Sequence, residues 1–169
     1  VLHPLGASMI PEGIRDDIHV TGLKCYSWTT AIEKHPATDK ASKLLYPTNV
    51  HRWDDLYSTV PLRLDAQEWK ALAKAMPGAD SGYLMDSKWI MRGSKEPAFL
   101  AVRQFGKGNA MVFGISPYYW LTAPFAQPNL SSPREFSIGE RNTGPIDGIF
   151  LDKGDGWQLV LGMFTWLAE

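Results

Sequence analysis

Residues 97–116, PAFLAVRQFGKGNAMVFGIS, decide the fold. Pro97 to Phe105 and Asn109 to Ser116 are both rich in β-branched, aromatic and aliphatic side chains, and only Gly106, Lys107 and Gly108 separate them. Glycine adopts positive φ without steric cost, and two glycines between such runs predict a β-hairpin. Both runs are apolar at nearly every position instead of alternating. That pattern belongs to strands covered on both faces, so a further layer is expected above and below the hairpin.

C-terminal to the hairpin, Leu159, Val160, Met163, Phe164 and Leu167 fall at helical spacing within Trp157 to Leu167. This predicts a terminal amphipathic helix packed on the sheet, with Asp155 and Gln158 placed as cap and third residue. On the N-terminal side, Asp65 and Glu68 resemble a capping box before the helix-favouring run WKALAKAM at 69–76, so local rules favour a helix there. Residues 1 to about 60 carry scattered prolines and glycines and little periodicity, and read as irregular structure with 1–30 as a lead-in. Ile18 to Trp28 is the best strand in that region. A short helix is expected from Thr38 through Ala41 to Leu45, capped by Thr38 and ended by Pro47.

The order of these elements resembles the C-terminal half of the glutamine-amidotransferase-like superfamily, in particular its ThuA-like branch. Three segments carry the resemblance: EKHPAT at 33–38, PAFLAVRQFGKGNAMVFG at 97–114, and GWQLVLGMFTWLA at 156–168. They are similar to the family's HPxT-type stretch, its strand–Gly-Lys-Gly–strand hairpin and its closing helix. The resemblance covers roughly residues 31–169. It implies an α/β fold built on a flavodoxin-like sheet, or the C-terminal half of one, and a strand at 69–76 instead of the helix that local propensity favours.

The resemblance also implies a single domain over 1–169 that is incomplete on its N-terminal side, because the opening strand and helix units of the family are absent. The family's cysteine nucleophile sits on a tight, glycine-flanked strand-to-helix turn. Cys25 lies in GLKCYSW with no glycine after it and reads as a structural thiol. The family's His-x-Glu pair is absent as well, so glutamine hydrolysis is not expected. If the first half of the sheet lies elsewhere, the apolar hairpin needs a cover. A partner chain or a second copy of this one is therefore expected.

Composition narrows the remaining possibilities. With 169 residues and 44% hydrophobic content the chain is long enough for a real core. Its 17 basic and 18 acidic residues leave a net charge of -1, so no broad field would hold a nucleic-acid backbone. One cysteine allows no internal disulfide, no paired Cys/His spacing suggests zinc, and no cofactor motif is present. Apolar runs are broken well short of the ~20 residues a membrane helix needs. A start at Val1 and seven tryptophans favour a processed chain of secreted or periplasmic location.

Several residues merit weighing as a site. Tyr118, Tyr119 and Trp120 follow the second hairpin strand, where α/β proteins commonly place ligands, and could stack on a sugar ring. His35 and His51 could act as bases if a carboxylate met them, although Pro36 favours a turn role for His35. The four histidines, His3, His19, His35 and His51, recur every 16 residues, which matches no helix or strand face, and no metal site is expected. Asp16-Asp17 and Asp54-Asp55 are adjacent pairs whose side chains point apart, which disfavours acid–base pairing within either. Asp152 and Asp155 lack the ligand spacing of a calcium loop. Gly106 and Gly108 precede no helix and make no phosphate loop. The expected function is a non-catalytic module in a larger assembly that binds a carbohydrate-related ligand, with a carbohydrate-active hydrolase using a His/Asp site as the alternative.

Overall fold

The computed structural model describes residues 5–20, 26–48, 59–86, 88–91, 93–115 and 155–168. In chain order they form β1 (Ala7–Met9), β2 (Gly13–Arg15), β3 (Tyr26–Thr29), a 3-10 turn (Pro36–Thr38), β4 (Leu44–Pro47) and β5 (Leu62–Leu64). Then come β6 (Lys70–Lys74), β7 (Asp80–Met85), β8 (Lys88–Met91), β9 (Ala98–Phe105), β10 (Gly108–Phe113) and the helix α1 (Gly156–Ala168). The described residues thus form a mixed α/β structure of small antiparallel sheets with one C-terminal helix. Every ladder among the described residues is antiparallel, and they include no parallel pair of the flavodoxin-like kind.

The hairpin forms where the sequence predicts it. β9 and β10 pair in register from Gly108↔Phe105 to Phe113↔Leu100, and β9 is the centre of a three-stranded sheet in the order β10-β9-β6. Of the three residues between the two apolar runs, Gly106, Lys107 and Gly108, only Gly106 adopts positive φ, at 60°, which is the leading-glycine pattern of a two-residue hairpin turn. The sheet is covered on both sides. Leu72, Leu100 and Val102 pack in one core with Leu159, Val160 and Met163 of α1, while Ala101 and Val112 face a second core of Ala7, Leu62 and Trp69. The helix is therefore one cover and the β1–β5 pair the other. β9 is buried from Phe99 to Val102, whereas β10 is only half-buried over most of its length.

Residues 69–76 resolve in favour of strand. Asp65 makes the local turn that its sequence suggests, accepting from Gln67 N at 2.9 Å through its carboxylate and from Trp69 N at 2.8 Å through its carbonyl. The chain then extends instead of coiling, because Leu72 and Ala73 are wholly buried and the backbone of β6 is taken by β9. Along the other edge of β6, residues 31–33 run as a partial fourth strand: Lys74 N donates to Ala31 O, Glu33 N donates to Leu72 O, and Ile32 bridges Ala73. Tertiary burial overrides helix propensity here.

Three other expectations are corrected. Ile18–Trp28 is not one strand, since Val20 and Ser27 form an antiparallel bridge and Trp28 N donates to His19 O, so the chain reverses between them. No helix runs from Thr38 to Leu45. Thr38 ends the 3-10 turn, its hydroxyl donating to Glu33 O at 2.6 Å, and Leu44, Leu45 and Tyr46 are buried in β4 against β3. Asp155 begins α1 by position, with its carbonyl accepting from Leu159 N. Its carboxylate, however, accepts from Ser42 N, Ser42 Oγ and Lys43 N at 2.7, 2.7 and 2.9 Å. The expected box with Gln158 is not made, and Gln158 Oε1 is buried with no hydrogen-bond partner.

Asp155 thereby ties the start of the last helix to the entry of β4, 112 residues earlier. Burial raises the affinity of its carboxyl for a proton, but the hydroxyl of Ser42 and the backbone N–H groups of Ser42 and Lys43 outweigh burial and hold its pKa below the usual carboxylate value. The same helix comes very close to the 3-10 turn. A Cβ on Gly162 would lie 2.7 Å from Ala37 O and 3.2 Å from Ala37 C.

Candidate functional site

The segments 33–38, 97–114 and 156–168, far apart in sequence, converge on a cleft of about 430 Å³. His35 heads the 3-10 turn, Trp166 comes from the last turn of α1, Gln104 and Asn109 are cross-strand partners on β9 and β10, and Lys107 is in the hairpin turn. Lys70, at the start of β6, and the Arg103–Glu68 pair complete the charged part of the lining. Asn109 fixes the helix to the hairpin by donating from Nδ2 to Trp166 O at 2.8 Å.

His35 is held by its own backbone turn. Its extended backbone (φ -158°, ψ 152°) lets Nδ1 accept from Ala37 N at 3.2 Å, which caps the 3-10 turn. An Nδ1 that accepts leaves the proton of the neutral ring on Nε2. The ring stands edge-on to Trp166, with centroids 4.9 Å apart and planes at 76°. Burial and, second to it, the charge of Lys70 lower its pKa, so His35 is neutral at pH 7. No carboxylate of the described residues hydrogen-bonds to this imidazole. The partner expected of a general base is not supplied here.

The charges in the cleft do not cancel. Arg103 donates from Nη1 and Nη2 to the two oxygens of Glu68 at 2.7 and 2.9 Å, a bidentate pair that uses the single carboxylate among the described residues of the lining. Among the described residues, Lys70 and Lys107 have no acidic counterpart in the lining. Lys70 Nζ makes only a long contact, 3.4 Å, to Lys34 O.

Of the other residues singled out from sequence, His51, Tyr118, Tyr119 and Trp120 lie outside the described residues, as do Cys25, Asp54-Asp55 and Asp152. Asp16 and Asp17 do point apart. Asp17 pairs with Arg15 at 2.6 Å, whereas Asp16 is wholly buried. The Asp16 carboxylate accepts from Ile18 N and His19 N, both at 2.9 Å, and meets His19 Nδ1 at 3.1 Å. His19 in turn stands edge-on to Trp28, with centroids 5.0 Å apart. This Asp–His pair escaped the reading of the sequence, although its signal was present in the Asp-x-x-His spacing of 16–19, which one turn brings face to face.

Among the described residues no group of three or more His, Cys, Asp or Glu side chains is placed to hold a metal ion. No described helix is long and apolar enough to cross a membrane. Comparison with protein-family models, with curated proteins and with solved structures finds no match.

Proposed function

We propose that this chain is a non-catalytic module of the glutamine-amidotransferase-like kind, built on a flavodoxin-like sheet or its C-terminal half. In this reading it serves as a subunit or interface domain of a larger assembly and binds a carbohydrate-related ligand. One observation carries the reading: the three segments similar to that superfamily come together in space, with His35 against Trp166, Ala37 against Gly162 and Trp166 against Asn109. Segments that shared no structural unit would have no reason to meet. No carboxylate of the described residues hydrogen-bonds to the imidazole of His35, which favours binding over catalysis.

The assembly role has a separate support in α1. Its 13 residues, GWQLVLGMFTWLA, include no charged side chain. Leu159, Val160 and Met163 face the core, yet Leu161, Phe164 and Leu167 are exposed on the other side. A helix apolar all round is normally covered all round. Sedimentation of the purified protein tests the role. A mass above the 18.9 kDa of one chain, or a second chain that co-purifies, is expected. Phe164→Glu should reduce it to one chain, and a wild-type protein that sediments as a single chain alone refutes the assembly role.

A second reading, a carbohydrate-active hydrolase, is favoured by the Asp16–His19 pair, in which a buried carboxylate orients an imidazole as general bases require. Turnover on a glycan panel that His19→Ala abolishes, with the melting temperature unchanged, would establish it. Turnover lost in His35→Ala instead would place the chemistry in the cleft.

A further inference from the structure

We infer that the cleft between α1 and the hairpin turn is a binding site for an anionic saccharide, a sugar bearing a carboxylate or a phosphate. The inference deepens the proposed function and rests on its carbohydrate-binding part. Among the described residues, three cationic side chains, Lys70, Arg103 and Lys107, line the cleft against one carboxylate, Glu68, and the bidentate pair already uses that carboxylate. The positive potential left by the two lysines is directed at whatever occupies the space.

The rest of the lining suits a hydroxylated ring. Gln104 and Asn109, opposite each other across β9 and β10, offer the amide donors and acceptors that sugar hydroxyls take, and Trp166 adds an aromatic wall. His35 adds no third positive charge at pH 7, because its Nδ1 is committed to Ala37 N and its pKa lies below the usual value. It contributes an Nε2–H donor instead. The volume of about 430 Å³ falls within the range of small-ligand sites. Both anion classes satisfy the two lysines, so the choice between them is left to measurement.

Isothermal titration of the full chain with glucuronate, glucose 6-phosphate, neutral glucose and inorganic phosphate tests the site. At least one anionic sugar is expected to bind ten-fold or more tightly than glucose, with an affinity that falls as salt is raised. The exposed double variant Lys70→Gln/Lys107→Gln should lose that preference, and Lys88→Gln, on a different sheet, should retain it. Whichever of glucuronate and glucose 6-phosphate binds more tightly identifies the anion. Inorganic phosphate that binds as tightly as the sugars overturns the saccharide assignment. Glucose that binds equally well and ignores the lysine changes overturns the anion assignment but leaves a carbohydrate module. Binding of none overturns the site altogether, and the sedimentation experiment then decides separately whether the assembly role stands.

Discussion

Replacing Gly162 with alanine should destabilise the protein, although the same exchange in the middle of an ordinary helix stabilises it. By helix propensity alone, alanine gains about 1 kcal/mol over glycine. In this structure the new Cβ would sit 2.7 Å from Ala37 O, which is about 0.7 Å inside the roughly 3.4 Å at which ordinary contact begins. The obstructing atom is a backbone carbonyl within a 3-10 turn fixed by His35 Nδ1 and by the Thr38 hydroxyl, so it cannot rotate away. Either α1 lifts off the turn or the turn shifts, and overpacking of this kind costs about 1–3 kcal/mol. The two effects oppose each other, and the steric one is larger. A net loss of about 1 kcal/mol is expected, read as a lower urea midpoint at unchanged slope with circular dichroism as the probe. Thr165→Ala, at an exposed position of the same helix, gains propensity without a clash and should be neutral or slightly stabilising. A raised midpoint in Gly162→Ala would refute the close approach of helix and turn, and with it the geometry of the cleft.

Other consequences follow from single contacts. Asp155→Ala removes the acceptor of three hydrogen bonds from Ser42 and Lys43 and should cost about 1–3 kcal/mol in urea unfolding; a loss too small to measure would show that the link between α1 and β4 is not formed in solution. Gly114→Ala would drive a Cβ into the backbone oxygen of Val60, and its yield of folded protein should fall further than that of any other variant named here. His35 titrates below the ordinary histidine value of 6.5, through burial and the charge of Lys70, so the unfolded chain binds more protons than the native one as pH falls through that value. Its contribution to stability is therefore full above about pH 6.5 and declines as pH falls toward its folded pKa. His35→Asn keeps a capping acceptor that does not titrate. Its melting temperature should drop less between pH 7 and pH 5 than that of the wild type, and an equal drop in both would count against the neutral cap. Asp155 acts in the same direction only near and below the ordinary aspartate value of 3.8, outside that window.

How far the sequence could be read depended on how local each signal was. The hairpin was legible because its turn and its register are fixed by neighbouring residues, with Gly106 supplying the positive φ and Phe105 meeting Gly108 directly. The terminal helix was legible because its apolar spacing repeats within the element itself, but only Leu159, Val160 and Met163 of the expected stripe are buried, and Phe164 and Leu167 are exposed. The conflict at 69–76 was settled in favour of strand by β9 on one side and residues 31–33 on the other, neither of which is near it in sequence. The helix expected from Thr38 failed for the same reason, since β3 takes the backbone of Leu44 to Pro47.

The site divides along the same line. His35 was recognised as worth weighing, but its meaning depends on Lys70, Trp166 and the bond from Ala37, and only Ala37 is close to it in the chain. Asp155 looked like a helix cap because a cap is a local device; its carboxylate instead takes the three donors that folding brings from residues 42 and 43. The sequence by itself determined the hairpin, the closing helix and the even balance of charge. Only the tertiary structure decided which carboxylate meets which cation, and so which lysines line the cleft without an acidic partner among the described residues, because charge compensation depends on distance in space and not on separation along the chain.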